Sequence, residues 1–148
     1  MGLLKQTPSL EQINAMFRGT LGESLGIRII ELGEDFVRGT LPVDARTHQP
    51  YGLLHGGASV ALAETLGSLA AMLTLDASVE AAVGLDINAN HVRGVKSGLV
   101  TGTARALHLG RSTQVWEIRI EDERQKLVCI SRLTVAVVPR QVVAPAAT

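Results

Sequence analysis

The chain has 148 residues, a length that suits one domain with a sizeable core. Acidic and basic residues number 14 each and aromatic residues make up 3%, so the formal charge is zero and base-stacking side chains are scarce. Neither nucleic acid nor an anionic membrane surface is therefore expected as a partner. The single cysteine, Cys129, excludes an intrachain disulfide. With no signal-peptide pattern at the N-terminus, it favours a cytoplasmic protein with a buried free thiol.

The N-terminal part of the chain predicts a short helix followed by two paired strands. Ser9 and Gln12 fit a capping box, in which each side chain bonds the other residue's backbone N–H, so a helix is expected within residues 8–20. Residues 25–33 and 36–43 predict strands joined by a Gly-Glu-Asp turn. The segment that follows has neither helical nor strand periodicity and is interpreted as a loop.

Residues 57–75 predict a long helix that is apolar almost all round. The segment is long enough to cross a bilayer, but a charged residue at its centre, Glu64, would cost roughly 2.5–3.5 kcal/mol on insertion. We therefore expect a helix enclosed by protein. Four further strands are predicted at 81–93, 97–108, 112–121 and 126–138, the last two as a hairpin, and the tail 139–148 is expected to be frayed.

Six strands and one enclosed helix, in the order β-β-α-β-β-β-β, favour an α+β fold. A curved antiparallel sheet of five to six strands wrapped around the helix is the most economical way to bury that helix. No repeat, linker or second core interrupts the pattern, so residues 1–148 are predicted to form a single domain.

Glu64 is the only ionisable residue between Gly56 and Leu75. On a helical wheel, a stripe of leucines (62, 66, 69 and 73) faces one way, and Glu64 shares a small, polar face with Ser68, four residues further on. One interpretation is a solvated surface acid. The other is a carboxylate that lines a partly desolvated pocket, where it would serve as base or nucleophile.

His55, Gly56 and Gly57 stand at the start of this helix, where the first N–H groups stabilise negative charge. Gly56 N–H is therefore a candidate oxyanion donor, although His55 and the glycines also fit a tight helix start with no catalytic role. Eight residues separate Gly56 from Glu64, about 12 Å along a helix axis. One carbonyl carbon cannot lie close to both, so a shared substrate requires two subunits related by a two-fold axis.

Three segments carry a family resemblance: HQPYGLLHGGASVALAETLGS at 48–68, VGLDINANHVR at 83–93 and LHLGRSTQVWEI at 107–118. Together they make the chain resemble the hotdog-fold acyl-CoA thioesterases over roughly residues 9–138. The branch is that of the bacterial aromatic acyl-CoA thioesterases. It includes enzymes acting on 1,4-dihydroxy-2-naphthoyl-CoA and 4-hydroxybenzoyl-CoA and the proofreading thioesterase of the enterobactin pathway. The resemblance implies the hotdog fold, a curved antiparallel sheet around one central helix.

The resemblance also implies roles for the matching residues. Glu64 looks like the catalytic nucleophile or general base, and Gly56 like the backbone donor that polarises the thioester carbonyl. Gln49 and His55 resemble the residues that orient that carbonyl or the leaving sulfur. Ser68 resembles a residue that holds the attacking water or the carboxylate.

Substrate contacts are implied at five further positions. His91 matches a histidine near the acyl pocket, although a core histidine bonded to backbone is the alternative. Arg93, Arg111 and Ser112 resemble positions near coenzyme A. Arginine suits phosphate through its bidentate fork, and a solvated surface charge is the alternative. Tyr51 lies in the loop that is expected to shape the pocket entrance.

The resulting hypothesis is hydrolysis of an aromatic or medium-chain acyl-CoA to the free acid and coenzyme A. The enzyme would be a homo-oligomer, a dimer at minimum, and the resemblance favours a tetramer. No cofactor is implied, since coenzyme A is part of the substrate, and the four histidines lack metal-ligand spacing. Two alternatives remain: a hotdog dehydratase or hydratase that uses His55 and Glu64, and a non-catalytic acyl-CoA-binding module.

Overall fold

The computed structural model describes residues 2–143, which form a six-stranded sheet, one long helix and two short helices. In chain order the elements are α1 (Leu10–Ala15), α2 (Leu21–Leu25), β1 (Arg28–Leu32), β2 (Phe36–Val43), α3 (Gly56–Leu73), β3 (Glu80–His91), β4 (Gly98–Leu109), β5 (Thr113–Glu121) and β6 (Leu127–Pro139), followed by a 3-10 turn at Arg140–Val142. The sheet order is β1-β2-β4-β5-β6-β3, and every neighbouring pair is antiparallel. Because α3 packs against β2 through β6, the predicted α+β hotdog arrangement is confirmed.

The leucine stripe predicted on α3 lies in the core. Leu62, Leu66 and Leu73 are fully buried, and Leu69 is 7% exposed. Burying a leucine side chain stabilises a fold by roughly 1.5–3 kcal/mol relative to leaving it exposed. The hydrophobic stripe therefore determines which face of α3 meets the sheet, and the face that carries Glu64 is left half-buried.

Two glycines let α3 approach the sheet closely. Gly39 of β2 and Gly102 of β4 are directly opposite each other in the strand register. A Cβ atom would lie 2.8 Å from Leu66 Cδ2 at Gly39 and 2.6 Å from Leu66 Cδ1 at Gly102, both too close for ordinary contact. The paired glycines thus form a notch that receives Leu66 and fixes the position of the helix along the sheet.

The N-terminal region departs from the sequence prediction in its detail. The capping box between Ser9 and Gln12 is present, but α1 ends at Ala15 rather than near Gly19. After Ala15 the backbone N–H groups donate to carbonyls three residues back, Met16 to Ile13 O and Phe17 to Asn14 O, so the α-helical pattern ends before the left-handed Gly19 (φ +70°). The second helix, α2, was not predicted and occupies the residues before β1, so this strand begins at Arg28 rather than at residue 25.

The two edge strands of the sheet differ in how they are covered. At β1, the side-chain amide of Asn14 in α1 makes the two backbone hydrogen bonds of Ile29 that a further strand would make. Its Nδ2 donates to Ile29 O, and its Oδ1 accepts from Ile29 N–H, both at 2.9 Å. β3 pairs with β6 on one side only, and Val83 and Leu85 on it are 40% and 61% exposed. The described part of the chain therefore leaves β3 able to pair with a further strand.

The central helix matches the expectation of a segment enclosed by protein. Its length and composition would allow it to cross a membrane, but 56% of it is buried inside the fold, and buried core helices meet the same criterion. It begins one residue earlier and ends two residues earlier than the predicted 57–75. Of the tail predicted as frayed, residues 140–142 form the 3-10 turn, and residues 144–148 lie outside the described part.

Candidate active site

A cleft of about 390 Å³ lies at the N-terminus of α3. It brings together four of the residues predicted from the sequence: Gln49 from the loop before the helix, Gly56 from the first turn, and His91 and Arg93 from the end of β3 and just beyond it. The remaining lining residues are Leu53, Leu54, Ser59, Val92, Gly94 and Val128. Polar groups thus meet at one end of the helix within a mostly apolar wall.

The backbone N–H of Gly56 is the donor that the helix start leaves open. His55 is the N-cap, and its Nδ1 accepts from Gly57 N–H at 2.7 Å. Ala58 and Ser59 N–H groups both donate to His55 O. Within residues 2–143 no acceptor lies in hydrogen-bonding position to Gly56 N–H, so this group is available to an oxygen that bears negative charge.

The imidazole of His91 lies directly against Gly56. A Cβ atom at Gly56 would lie 2.8 Å from His91 Nε2, so a larger residue would push the ring aside. His91 is the last residue of β3 and is exposed, which differs from the alternative of a core histidine. Glycine at position 56 therefore leaves room for the His91 ring directly beside the Gly56 N–H donor.

Gln49 is held in a tight loop in which no residue from 2 to 143 accepts a hydrogen bond from its side-chain amide. Its N–H donates to Leu53 O at 2.8 Å, and its backbone oxygen accepts from Gly52 N–H at 2.9 Å. Its side-chain Oε1 accepts from Tyr51 N–H. Within the described range, both N–H donors of Nε2 are thus available to a ligand. The Tyr51 side chain is 90% exposed and does not line the cleft.

The loop that carries Gln49 is fixed on both sides. His48 Nε2–H donates to Lys96 O at 2.9 Å, and His55 N–H donates to Thr47 O at 2.8 Å. At the start of the loop, the hydrogen bonds from Arg46 lower the pKa of Asp44 to about 2, so this carboxylate remains charged. His55 lines a separate small cavity beside Arg46 and His48, rather than the cleft of Gln49.

Glu64 lines a second cavity, of about 520 Å³, on the half-buried face of α3. Ser68 lines the same cavity, as the helical wheel predicts, and the other lining residues are Leu21, Gly57, Val60, Ala61 and Thr65. The Glu64 carboxylate forms no hydrogen bond or ion pair with any residue from 2 to 143. A carboxylate that faces an open cavity without a partner is available to a substrate or to water.

Gly84 of β3 provides the space that the Glu64 side chain occupies. A Cβ atom at this position would lie 2.6 Å from Glu64 Oε1. Gly84 is a functional position that the sequence alone does not predict. The available signal was a glycine in the interior of a predicted strand, which often marks the close approach of another group.

The two cavities share no lining residue, so one chain does not bring Glu64 to Gly56. Eight helical residues put the two groups about 12 Å apart along the axis, as the spacing indicates. Ser68 is one helical turn beyond Glu64 and still further from Gly56. The carboxylate and the N–H donor are consequently two half-sites on a single helix.

Arg111 and Ser112 lie at the opposite end of the sheet from Arg93. Ser112 O accepts from Val137 N–H near the end of β6, whereas Arg93 N–H donates to Val128 O at the start of that strand. Nine residues of extended strand correspond to about 30 Å. A single chain therefore does not combine Arg93 and Arg111 into one phosphate site.

Comparison with known proteins identifies the family. Residues 51–129, more than half of the chain, match the model of the thioesterase superfamily. The chain belongs to the thioesterase superfamily. The matched range contains Gly56, Glu64 and Ser68 as well as His91 and Arg93.

Thioesterase relatives cover almost the whole chain. The chain is 53% identical to the proofreading thioesterase EntH of Cronobacter turicensis over 90% of its length and 96% of the relative's length. It is 50% identical to the 1,4-dihydroxy-2-naphthoyl-CoA hydrolase of Escherichia coli K12, over 90% and 97% of the two chains. The thioesterase PA1618 of Pseudomonas aeruginosa, crystallised as a Q49A variant, has 55% identity and a TM-score of 0.91 over 93% and 99% of the two chains. The chain is thus a thioester hydrolase with the hotdog fold.

Proposed function

We propose that this thioesterase hydrolyses an acyl-CoA and that its active site combines Glu64 of one subunit with Gly56 of another. The observation that carries this proposal is the unpaired, half-buried Glu64 carboxylate, which lies in a cavity separate from the Gly56 donor on the same helix. A carbonyl carbon needs both groups within hydrogen-bond or contact distance. A second subunit supplies the missing half of each site.

The free edge of β3 supports a two-fold dimer. Two copies of β3 that pair across an antiparallel edge would extend the sheet, and the two α3 helices would then lie side by side in opposite directions. In such a dimer the middle of each helix comes near the start of the other. Each dimer would therefore contain two equivalent sites, and a further pairing of dimers would give the tetramer that the family resemblance favours.

In the proposed reaction, the thioester carbonyl oxygen accepts hydrogen bonds from Gly56 N–H and from the Gln49 amide. Glu64 of the other subunit takes a proton from water as the water oxygen attacks the carbonyl carbon. The tetrahedral oxyanion is stabilised by the same donors, and its collapse breaks the C–S bond. The coenzyme A thiolate leaves and is protonated, and the free acid is released. Direct attack by Glu64, with an anhydride that water then opens, uses the same geometry.

Further parts of the proposal concern the substrate and its surroundings. The acyl group is proposed to be aromatic or medium-chain, and the name of the Escherichia coli relative, a naphthoyl-CoA hydrolase, supports the aromatic choice. Arg93 in the Gly56 cleft is proposed to contact the coenzyme A phosphates, joined by Arg111 and Ser112 of another subunit. We propose that the reaction needs no metal or cofactor and takes place in the cytoplasm.

The direct test is Glu64→Gln, which keeps the size of the side chain and removes its basic oxygen. We expect turnover of benzoyl-CoA to fall by at least about 10²-fold with an unchanged melting temperature, as for loss of an acid–base group. Near-normal turnover would contradict the assignment and would favour a binding module that does not need the acid. Loss of the conjugated absorbance of a trans-2-enoyl-CoA, without release of thiol, would instead favour a hydratase.

Subunit mixing tests whether the site spans two chains. Glu64→Gln and Gln49→Ala each disable one half-site. Crystals of the Q49A variant of the Pseudomonas relative favour an intact fold for the Gln49→Ala variant. After exchange, half of the dimers are mixed, and each mixed dimer has one intact site. Activity should then recover to about one quarter of wild type if the sites are shared. No recovery in dimers shown to have exchanged would place both groups in one chain.

A further inference from the structure

Ser59, the fourth residue of α3, is a buried polar residue that the proposed reaction does not use. It is 1% exposed and lines the Gly56 cleft. Its backbone N–H donates to His55 O, but its hydroxyl has no hydrogen-bond partner among residues 2–143. Thr65 shows the usual arrangement in a helix, in which the hydroxyl donates to the carbonyl four residues back, here Ala61 O at 2.7 Å. The Ser59 hydroxyl therefore remains available although almost all of the residue is enclosed.

The free hydroxyl of Ser59 opens into the cleft. In the described part of the chain, every fully enclosed side-chain oxygen or nitrogen has a partner, so an oxygen without one must reach the small accessible surface that Ser59 retains. The Cα–Cβ bonds of a helix tilt toward its N-terminus, and residues three apart share one face. The Ser59 side chain consequently leans over the turn that carries Gly56, inside the cleft that both residues line.

The imidazole of His91 lies over the same turn of α3. Its Nε2 is 2.8 Å from the position that a Cβ atom of Gly56 would take. Cβ positions three residues apart on a helix are about 5–6 Å from each other, so small rotations bring Nε2 and Ser59 Oγ within hydrogen-bonding distance. The rings of His48 and His55 make hydrogen bonds within the described chain, and that of His91 makes none. Two polar groups without partners thus face each other beside the Gly56 N–H.

We propose that Ser59 is a positioning residue, whose hydroxyl hydrogen-bonds the His91 imidazole when substrate binds and holds the ring beside the Gly56 N–H. The inference rests on the proposed function, in which that N–H binds the thioester carbonyl oxygen. A hydroxyl both donates and accepts, so it suits either tautomer of the ring. Hydrogen bonds in active sites are often long before substrate binds and tighten in the complex. The bond would fix an otherwise exposed ring in the wall of the site where negative charge develops.

The test is a double-mutant cycle measured by thiol release from benzoyl-CoA in wild type, Ser59→Ala, His91→Ala and the double variant. Residues in one hydrogen-bond network are coupled by factors of roughly 2 to 150. Ser59→Ala should lower kcat by at least about 5-fold and leave KM within about 2-fold, because alignment in the transition state is lost rather than substrate binding. In the His91→Ala background, the same substitution should change kcat by less than about 2-fold.

Ser131→Ala is the matched control for the loss of a buried hydroxyl. Ser131 is 2% exposed, but its Oγ donates to Asn88 O at 2.9 Å, and it does not line the Gly56 cleft. Removing this hydroxyl breaks a bond of the fold, so the melting temperature should fall while kcat stays unchanged. Ser59→Ala should do the reverse, because its hydroxyl has no partner within residues 2–143 to lose.

The outcomes separate this inference from the proposed function. Wild-type protein that hydrolyses no acyl-CoA would overturn the proposed function and this inference with it. Active wild type with an unchanged kcat in folded Ser59→Ala would overturn only the role of Ser59, as would a loss that persists in the His91→Ala background. If Ser59→Ala does not fold, Ser59→Cys decides the question, because it nearly keeps the side-chain size and weakens the hydrogen bond. An unchanged kcat in Ser59→Cys would then refute the inference.

Discussion

Replacing Gly84 by alanine adds one methyl group that should displace the Glu64 carboxylate, and so lower the activity of the proposed site, while leaving that carboxylate chemically unchanged. In Gly84→Ala, the new Cβ would lie 2.6 Å from Glu64 Oε1, whereas ordinary contact begins near 3.4 Å. The carboxylate must therefore move by about 0.8 Å, and displacements near 1 Å cost roughly 10²-fold in rate when a reacting group must be aligned. Gly84 lacks a left-handed backbone, so alanine itself fits the strand. We expect kcat for benzoyl-CoA to fall about 10- to 100-fold with little change in stability.

The control is a double-mutant cycle with Glu64→Gln, measured by steady-state release of coenzyme A thiol. If Gly84→Ala acts by displacing the carboxylate, it should have almost no further effect once Glu64 has been replaced. Full activity of Gly84→Ala would refute the reasoning. The reasoning would also be refuted if Gly84→Ala lowered kcat by the same factor in the Glu64→Gln variant as in wild type, because the methyl group would then act through some other part of the site.

Three further predictions concern the fold. Leu66→Ala should lower the free energy of unfolding by about 2–5 kcal/mol in urea, because it empties the notch between β2 and β4; a loss under about 1 kcal/mol would contradict that packing. Gln114→Leu should cost about 1–3 kcal/mol in the same assay, because Gln114 Oε1 accepts from the buried Trp116 Nε1–H at 3.0 Å. An unchanged stability would argue against the hydrogen bond. Cys129 is fully buried, and burial raises the pKa of its thiol, so Ellman's reagent should react with it only after denaturation. Rapid reaction of the native protein would contradict this prediction and would show that β6, which carries Cys129, opens to solvent in the folded state.

Much of the secondary structure follows from local patterns that the sequence displays. The strand over 36–43 has its predicted bounds, and the capping box at Ser9 is formed, because alternation and capping depend on neighbouring residues. The short helix α2 was missed. Its five residues give too brief a pattern to recognise, and two glycines with positive φ determine its surroundings.

The sequence by itself determined the family, the central helix, and the separation of Gly56 from Glu64, because residue spacing along a helix translates directly into distance. Only the tertiary structure decided which side chains meet across the sheet. The contact of Glu64 with Gly84, the seating of Leu66 between two glycines, and the separation of Arg93 from Arg111 join residues far apart in the chain. Strand order and register produce these proximities, and both result from packing the whole sheet around one helix rather than from any local pattern.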